Sequence, residues 1–274
     1  MPELPEVETI VSDLRPHLVG RTIVHCELRF PSLVRHPEPE VFADSIVGLK
    51  VEALRRRGKY ILADLEGGPQ LVIHLGMSGQ LRLVGADVPL ADHTHVILEL
   101  DDGRQLRYRD PRRFGRLLLG TEASLVAAGR MPRLGPEPID ADFGADDLYA
   151  RLRRRRAPLK AVLLDQTTIA GVGNIYADES LHRARLRPDR AAGSLSRMSV
   201  RRLHEALREA LQIAIANRGS SVDSYRDAWG DLGSQQEQLQ VYGRAGEPCY
   251  RCGRPLALVR IAGRSSVFCR RCQR

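Results

Sequence analysis

The chain has 274 residues, 28% of them charged, and a formal net charge of +8. That length allows one large or two medium domains, each able to bury a core. The isoelectric point near 9.6 favours a polyanionic partner, nucleic acid first. No run of roughly 18 apolar residues exists and the N-terminus lacks a charged-then-apolar leader, which excludes a helical membrane protein and leads us to expect a cytosolic one. Only three of the 42 basic side chains are lysines, Lys50, Lys59 and Lys160. The plain reading of the arginine excess is a GC-rich coding sequence, ahead of selection for guanidinium chemistry. Lys59 and Lys160 then stand where arginine was available, and an amine, unlike a guanidinium, can lose its proton.

The chain opens on "MPELPEV". A small second residue permits removal of Met1, which leaves Pro2 as a secondary amine with Glu3 beside it and Glu6 one helical turn further on. That is either a helix start or a nucleophile. Val7, Ile10, Val11 and Leu14 then fall on one helical face, and Gly20 is placed to end the helix after Pro16 weakens its last turn. From residue 22 to about 119 the text changes to short apolar or alternating runs: "TIVHCELRF", "KYILADL", "QLVIHLGM", "HVILEL", "RQLRYR" and "GRLLLG". Gly-Gly, Asp-Gly and Pro-containing turns separate them, the pattern of an antiparallel β-sandwich of roughly eight strands. Two turns, "HLGMSG" from His74 and "RDPRRFG" from Arg109, set Met77 and Phe114 beside glycine and arginine. Burial in the core is the default for such side chains, but exposed apolar wedges beside arginines also fill or open a base stack. His93 sits at a strand entry, where a hydrogen bond to phosphate fits the basic setting.

A Pro-rich joint, "MPRLGPEPID", precedes a change to helical spacing in "ADDLYARLRRRR", "LKAVLLD", "NIYADESLHRARL" and "SVRRLHEALREALQIAIANRG". The run Arg153 to Arg156 reads as a solvated helix face able to meet phosphate. In "AGVGNIYADES", Gly171 and Gly173 allow a tight turn, Asn174 can cap the following helix, and exposed N–H groups there suit an anion, although taken alone the stretch reads first as a plain helix-to-helix connection. From Gly219 to Gln240 the chain is polar and too long for an ordinary turn, so it is functional or disordered. Five cysteines in a cytosolic chain do not make a disulfide framework. Cys26 reads as a buried thiol. "CYRC" and "CRRC" present Cys249, Cys252, Cys269 and Cys272, four thiolates that suit one tetrahedral, structural Zn²⁺ with no position left for water. Between them, "IAGR" places Gly263 and Arg264 at a hairpin tip.

Together these pieces resemble the formamidopyrimidine-DNA glycosylase family, bacterial enzymes that excise oxidised purines and then cut the strand. The similarity spans the chain: "PELPEVET", "RRGKY", "HLGMSG", "YRDPRRFG", "LGPEP", "LLDQ", "GVGNIYADE", "LQVYGR" and the cysteine module. The resemblance implies an α+β multidomain fold: an N-terminal helix on an antiparallel β-sandwich (1–130), a helix-two-turn-helix domain (131–239) whose loop 218–238 caps the lesion, and a C-terminal β-hairpin zinc finger (240–274). It implies Pro2 as the nucleophile at C1′, Glu3 as general acid-base group supported by Glu6, Lys59 for base excision and the first elimination, and Arg264 for the second. It also implies DNA contacts by His93, Arg156, Lys160, Asn174 and His74, and insertion of Met77, Arg112 and Phe114 into the space left by the flipped base. Double-stranded DNA is the expected partner, a monomer the expected state, and the nucleoid the expected place of work. One departure stands out: where the family has Gly-Gly-Ser-Thr before the capping loop, this chain reads "RGSSVDSYRDAWGDLGSQQEQ", with Arg218, Ser221, Asp223 and Trp229. The alternatives are an endonuclease VIII type acting on oxidised pyrimidines, against which Leu4 and "RRF" count, and a non-catalytic zinc protein that binds DNA, against which Pro2, Glu3 and Lys59 count.

Overall fold

The computed structural model describes residues 1–274 as two compact units. The first is Met1–Arg133 with Asn217–Gln236; the second is Leu134–Ala216 with Glu237–Arg274. The loop assigned from sequence to the helical domain therefore packs with the first unit, and the zinc module belongs with the helices.

The first unit begins with α1, Leu4–Leu18. Pro5 lies in its first turn, where a missing N–H costs nothing, and Glu6 meets the positive end of the helix dipole. Its apolar face, Leu4, Val7, Ile10, Val11, Leu14 and Leu18, is wholly buried, a gross stabilisation on the order of 10 kcal/mol before entropy is charged against it. Nine strands follow: β1 Ile23–Leu28, β2 Val34–His36, β3 Val51–Arg57, β4 Tyr60–Leu65, β5 Gln70–His74, β6 Gln80–Gly85, β7 Thr94–Leu100, β8 Arg104–Arg109 and β9 Arg116–Gly120. Short helices α2, Pro39–Ile46, and α3, Glu122–Ala127, flank them. The strands form a four-stranded sheet, β1-β7-β8-β6, and a five-stranded sheet, β2-β9-β5-β4-β3. One hydrophobic core draws on both sheets and on α1. Every pairing is antiparallel except β2 with β9. The strand β3, "VEALRRR", escapes the alternation rule because its arginines are paired, Arg55 with Asp64 of β4 at 3.0 Å and Arg56 with Glu8 of α1 at 2.7 Å.

The second unit holds α4 Ala145–Leu152, α5 Leu159–Leu164, α6 Asn174–Arg183 and α7 Arg197–Ala216. Leu148, Leu152, Leu159, Leu163, Leu181, Leu203 and Leu207 make its core. The helix α4 stops at Leu152, so Arg153–Arg156 lie in the turn beyond it rather than on a helix face. The buried Glu179 carboxylate on α6 accepts the backbone N–H groups of Gln240, Val241 and Tyr242, each at 2.9 Å. Those bonds fix where the cysteine module starts. The hairpin of β10, Ala257–Ile261, and β11, Arg264–Phe268, closes the chain. Its register pairs Ile261 with Arg264, so Ala262 and Gly263, both at positive φ (49° and 74°), form the two-residue turn that right-twisted strands prefer.

Candidate active site and nucleic-acid interface

Pro2, Glu3 and Glu6 are all buried at the N-terminus of α1. Glu6 reaches back so that its Oε2 accepts the Glu3 N–H at 2.8 Å, which satisfies one of the unpaired donors of the first turn. Its other oxygen, Oε1, accepts the N–H of Ser220 at 2.8 Å. Gly219, at φ +78°, passes so close that a Cβ there would lie 2.9 Å from Glu6 Cγ. One carboxylate thus joins the helix start to the polar loop. With Met1 in place the Pro2 nitrogen is an amide, and the Met1 ammonium lies 3.7 Å from the Asp223 carboxylate of the same loop. Lys59 occupies the two-residue turn between β3 and β4 after Gly58, whose φ is +58°, and is 7% exposed. Pairing of Tyr60 with His74 brings the end of β5 beside that turn. Burial, then the charges of Arg116 and Lys59, push the His74 imidazole down to about 3. It is neutral, and its Nδ1 accepts the Gly76 N–H at 3.1 Å. His74 thus shapes the turn that carries Met77.

The turns 74–79 and 109–115 are locked together by Asp110, which is fully buried. Its carboxylate accepts Ser78 Oγ at 2.6 Å, Gly115 N–H at 2.8 Å and, more weakly, Tyr108 Oη at 3.4 Å. Its carbonyl lies 3.0 Å from His95 Nε2, and Arg112 N–H donates to Ser78 Oγ at 3.2 Å. The glycines let the two backbones approach: a Cβ on Gly76 would lie 2.6 Å from Gly115 N, and one on Gly115 would lie 1.6 Å from Tyr108 Oη. Carried on this scaffold, Phe114 is 57% exposed, which overturns the default core reading. Met77 is half-buried and Arg112 exposed, with the Arg112 guanidinium 4.9 Å from the Phe114 ring centre. His93 is exposed at φ +65° in the turn before β7.

The polar loop is ordered by the first unit. Tyr225 and Ala228 enter its core. Arg218 Nη2 donates to Asp13 at 2.7 Å and to Asp227 at 2.5 Å. Gln80 and Arg82 of β6 donate to the carbonyls of Ser224 and Trp229.

In the second unit two expected residues sit differently from their sequence reading. Lys160 has no exposed surface; its Nζ lies 2.7 Å from Asp178 and donates to the Ser265 carbonyl at 2.6 Å. An ammonium so engaged ties α5 and α6 to β11 and presents no surface to a phosphate in this structure. Asn174 is also not the cap: Gly173 holds that position, and Asn174 is the first helical residue, its Oδ1 without a hydrogen-bond partner. Arg156 and Arg264 are exposed. The four cysteine sulfurs lie within 4.8 Å of one another, close to the spacing of about 3.8 Å that Zn–S bonds of about 2.3 Å impose on a tetrahedron. The residues fit one structural zinc, held by Cys249, Cys252, Cys269 and Cys272.

Three family models cover most of the chain. The formamidopyrimidine-DNA glycosylase N-terminal domain matches residues 1–117, its H2TH domain residues 134–226, and the zinc finger found in FPG and IleRS residues 246–274. Formamidopyrimidine-DNA glycosylases of Desulforamulus reducens and Moorella thermoacetica are 46% and 50% identical. The first alignment covers 100% of this chain and 99% of the relative, the second 95% of each. The chain belongs to the formamidopyrimidine-DNA glycosylase family. Among solved structures, a Lactococcus lactis FPG mutant in complex with DNA containing Fapy-dG superposes with a TM-score of 0.92 at 36% identity, over 100% of both chains. MutM (FPG) from Thermus thermophilus gives 0.89 at 44%, over 99% of this chain and 98% of that one.

Several residues that build this family member's site were not singled out from sequence. Asp110, Ser78 and His95 lay inside or beside quoted motifs, and the "RDP" of the second turn was a usable signal: a carboxylate before proline in a turn often binds nearby backbone. Asp13, Asp227 and Tyr225 gave none, because what they do depends on partners roughly two hundred positions away or on an irregular loop.

Proposed function

We propose that the protein is a bifunctional DNA glycosylase of base excision repair that removes oxidised purines, 8-oxoguanine and formamidopyrimidines, from duplex DNA and cuts the abasic strand by β,δ-elimination. The observation that carries this reading is the Pro2-Glu3 pair at the N-terminus of α1, buried and fastened by Glu6. Binding alone requires no such arrangement. The Fapy-dG and abasic DNA in complexes of the Lactococcus lactis FPG support the substrate class.

Removal of Met1 makes the Pro2 nitrogen a secondary amine. It attacks C1′ while the bond to the damaged base breaks, and Glu3 protonates the sugar ring oxygen as the ring opens. The resulting iminium stays cationic without a proton and draws electrons from C2′, so loss of a C2′ proton expels the 3′ phosphate; a second elimination expels the 5′ phosphate. In this reading Lys59 serves base excision and the first elimination and Arg264 the second. Met77, Arg112 and Phe114 fill the space the base vacates, which offsets a flipping cost of a few kcal/mol. His93, Arg156 and Asn174 meet backbone phosphate. Cys249, Cys252, Cys269 and Cys272 would hold a structural zinc that fixes the hairpin carrying Arg264.

Borohydride trapping tests this. A covalent adduct is expected on a duplex with 8-oxoguanine opposite cytosine, weakened in Pro2→Gly. Trapping only on a thymine-glycol duplex would move the chain to pyrimidine lesions, and binding without trapping on either would leave a recognition protein.

A further inference from the structure

Arg185, Arg190, Arg202, Arg251, Arg271 and Arg274 line one open cleft of about 570 Å³ in the second unit. None of the six has a carboxylate within ion-pair distance, whereas their neighbours Arg183, Arg187, Arg201 and Arg244 pair with Glu209, Asp189, Glu205 and Glu247. Two are held by neutral partners: Arg190 donates to Ser194 Oγ at 3.0 Å and to its carbonyl at 3.2 Å, and Arg251 to the His182 carbonyl at 3.3 Å. The C-terminal residue is drawn in as well, its N–H bonded to the Arg185 carbonyl at 3.1 Å. Six guanidiniums outweigh the nearby α-carboxylate and the net negative charge of a zinc tetrathiolate that includes Cys272, so the cleft stays cationic. These arginines do not belong with Arg264: β11 runs from Arg264 to Phe268 with the second cysteine knuckle after it, which separates the hairpin tip from the cleft floor by about 16 Å of extended chain.

We propose that this cleft is a second nucleic-acid site, binding the phosphodiester backbone of a segment other than the one under repair. Guanidinium forks match phosphate oxygens bidentately. The only apolar residue in the lining, Leu186, is itself buried. An acidic protein partner would want the apolar or aromatic anchors that make interface hot spots, whereas backbone binding driven by counterion release needs charge alone. A protein with two such sites passes from one DNA segment to the next without a free intermediate. The inference rests on the proposed function only in taking DNA as the ligand.

The test follows dissociation of a labelled undamaged duplex as unlabelled duplex is added, for the zinc-loaded full chain and for the triple variant R202Q/R271Q/R274Q. In the wild type the dissociation rate should rise with competitor concentration. In the variant it should not, and the salt slope of second-duplex binding should fall by about 2–3. Zinc content and excision of 8-oxoguanine from a short duplex should be unchanged. Loss of excision in both proteins, with transfer intact, would damage the functional reading and not this one. Competitor-independent dissociation of the wild type, or identical behaviour of the variant, overturns the proposal. So does pyrophosphate competing as well as duplex at equal phosphate, which would mark a small-anion site, or polyglutamate competing better, which would mark a protein partner.

Discussion

Asp110→Ala should separate base flipping from the chemistry that follows it. The carboxylate is fully buried and is the acceptor for Ser78 Oγ and Gly115 N–H at 2.6 and 2.8 Å. Tyr108 keeps the Leu75 carbonyl at 3.3 Å when Asp110 is lost, so two donors are orphaned. At about 1–3 kcal/mol for each buried unsatisfied group, the variant should lose about 2–6 kcal/mol. Asp110→Asn should lose less, about 1 kcal/mol, because the amide oxygen can still accept from Gly115 and the amide N–H can face Ser78 Oγ. Denaturant unfolding gives the stabilities, and a 2-aminopurine probe in the duplex reports flipping. Both should rank wild type, then Asn, then Ala. The turns carrying Met77 and Phe114 loosen, so excision of 8-oxoguanine should fall more than nicking of a preformed abasic site, which has no base to displace. An Ala variant within about 0.5 kcal/mol of wild type, or one that loses abasic nicking equally, would refute the assignment of Asp110 as the residue that positions the wedge.

Gly115→Ala should destabilise by about 1–3 kcal/mol in the same unfolding assay, since its Cβ would lie 1.6 Å from Tyr108 Oη; Tyr108→Phe in the same chain should recover part of the loss. His74, held near 3 against about 6.5 in an unfolded chain, excludes a proton on folding. Its contribution to stability is full above pH 6.5 and is lost as pH falls from there toward 3, with a slope of at most about 1.4 kcal/mol per pH unit. An NMR titration should find the ring neutral at pH 5, and protonation above pH 6 would contradict the placement. Stripping zinc with a chelator should abolish DNA binding while leaving the first unit folded by circular dichroism and thermal unfolding; retained binding at full affinity would show that the hairpin does not need its metal.

What the sequence reveals and what it hides divide along a physical line. Periodic burial was readable: α1, α4–α7 and six of the nine strands follow from the spacing of apolar residues, and the zinc site follows from two CxxC pairs. The strand β3 was hidden because Arg55 and Arg56 look solvated until Asp64 and Glu8 are brought to them. Lys160 shows the same dependence in reverse. The family resemblance implies a phosphate contact for this lysine, and only the fold supplies Asp178 as its partner. Phe114 was open to burial or exposure, and the decision lies in Asp110 and the glycine contacts that hold its turn away from the core. Periodicity reports which face is wet; it does not report which charge meets which.

If the loop caps the lesion as proposed, its departure is where these pair-dependent contacts would bear on substrate choice. Arg218 adopts φ +58°, a conformation costly for a side chain, and is held there by Asp13 and Asp227. Asp227 in turn accepts the N–H groups of Trp229, Gly230 and Asp231 at 2.8–3.0 Å, and the Trp229 ring meets His17 edge-on at 5.1 Å. The unusual residues therefore anchor the loop, and a nearby amide, Ser220 N–H, bonds the same Glu6 that fastens Glu3. Arg218→Ala removes the clamp but leaves the Asp227 turn intact. Arg218 is nearly half exposed, so solvent screening limits its worth to about 1 kcal/mol, a factor of about five. The ratio of 8-oxoguanine excision to abasic nicking should fall by that factor, with Pro2 chemistry on abasic DNA unchanged. If the ratio holds and both rates fall together, the loop acts through Glu6 on the nucleophile rather than on the base.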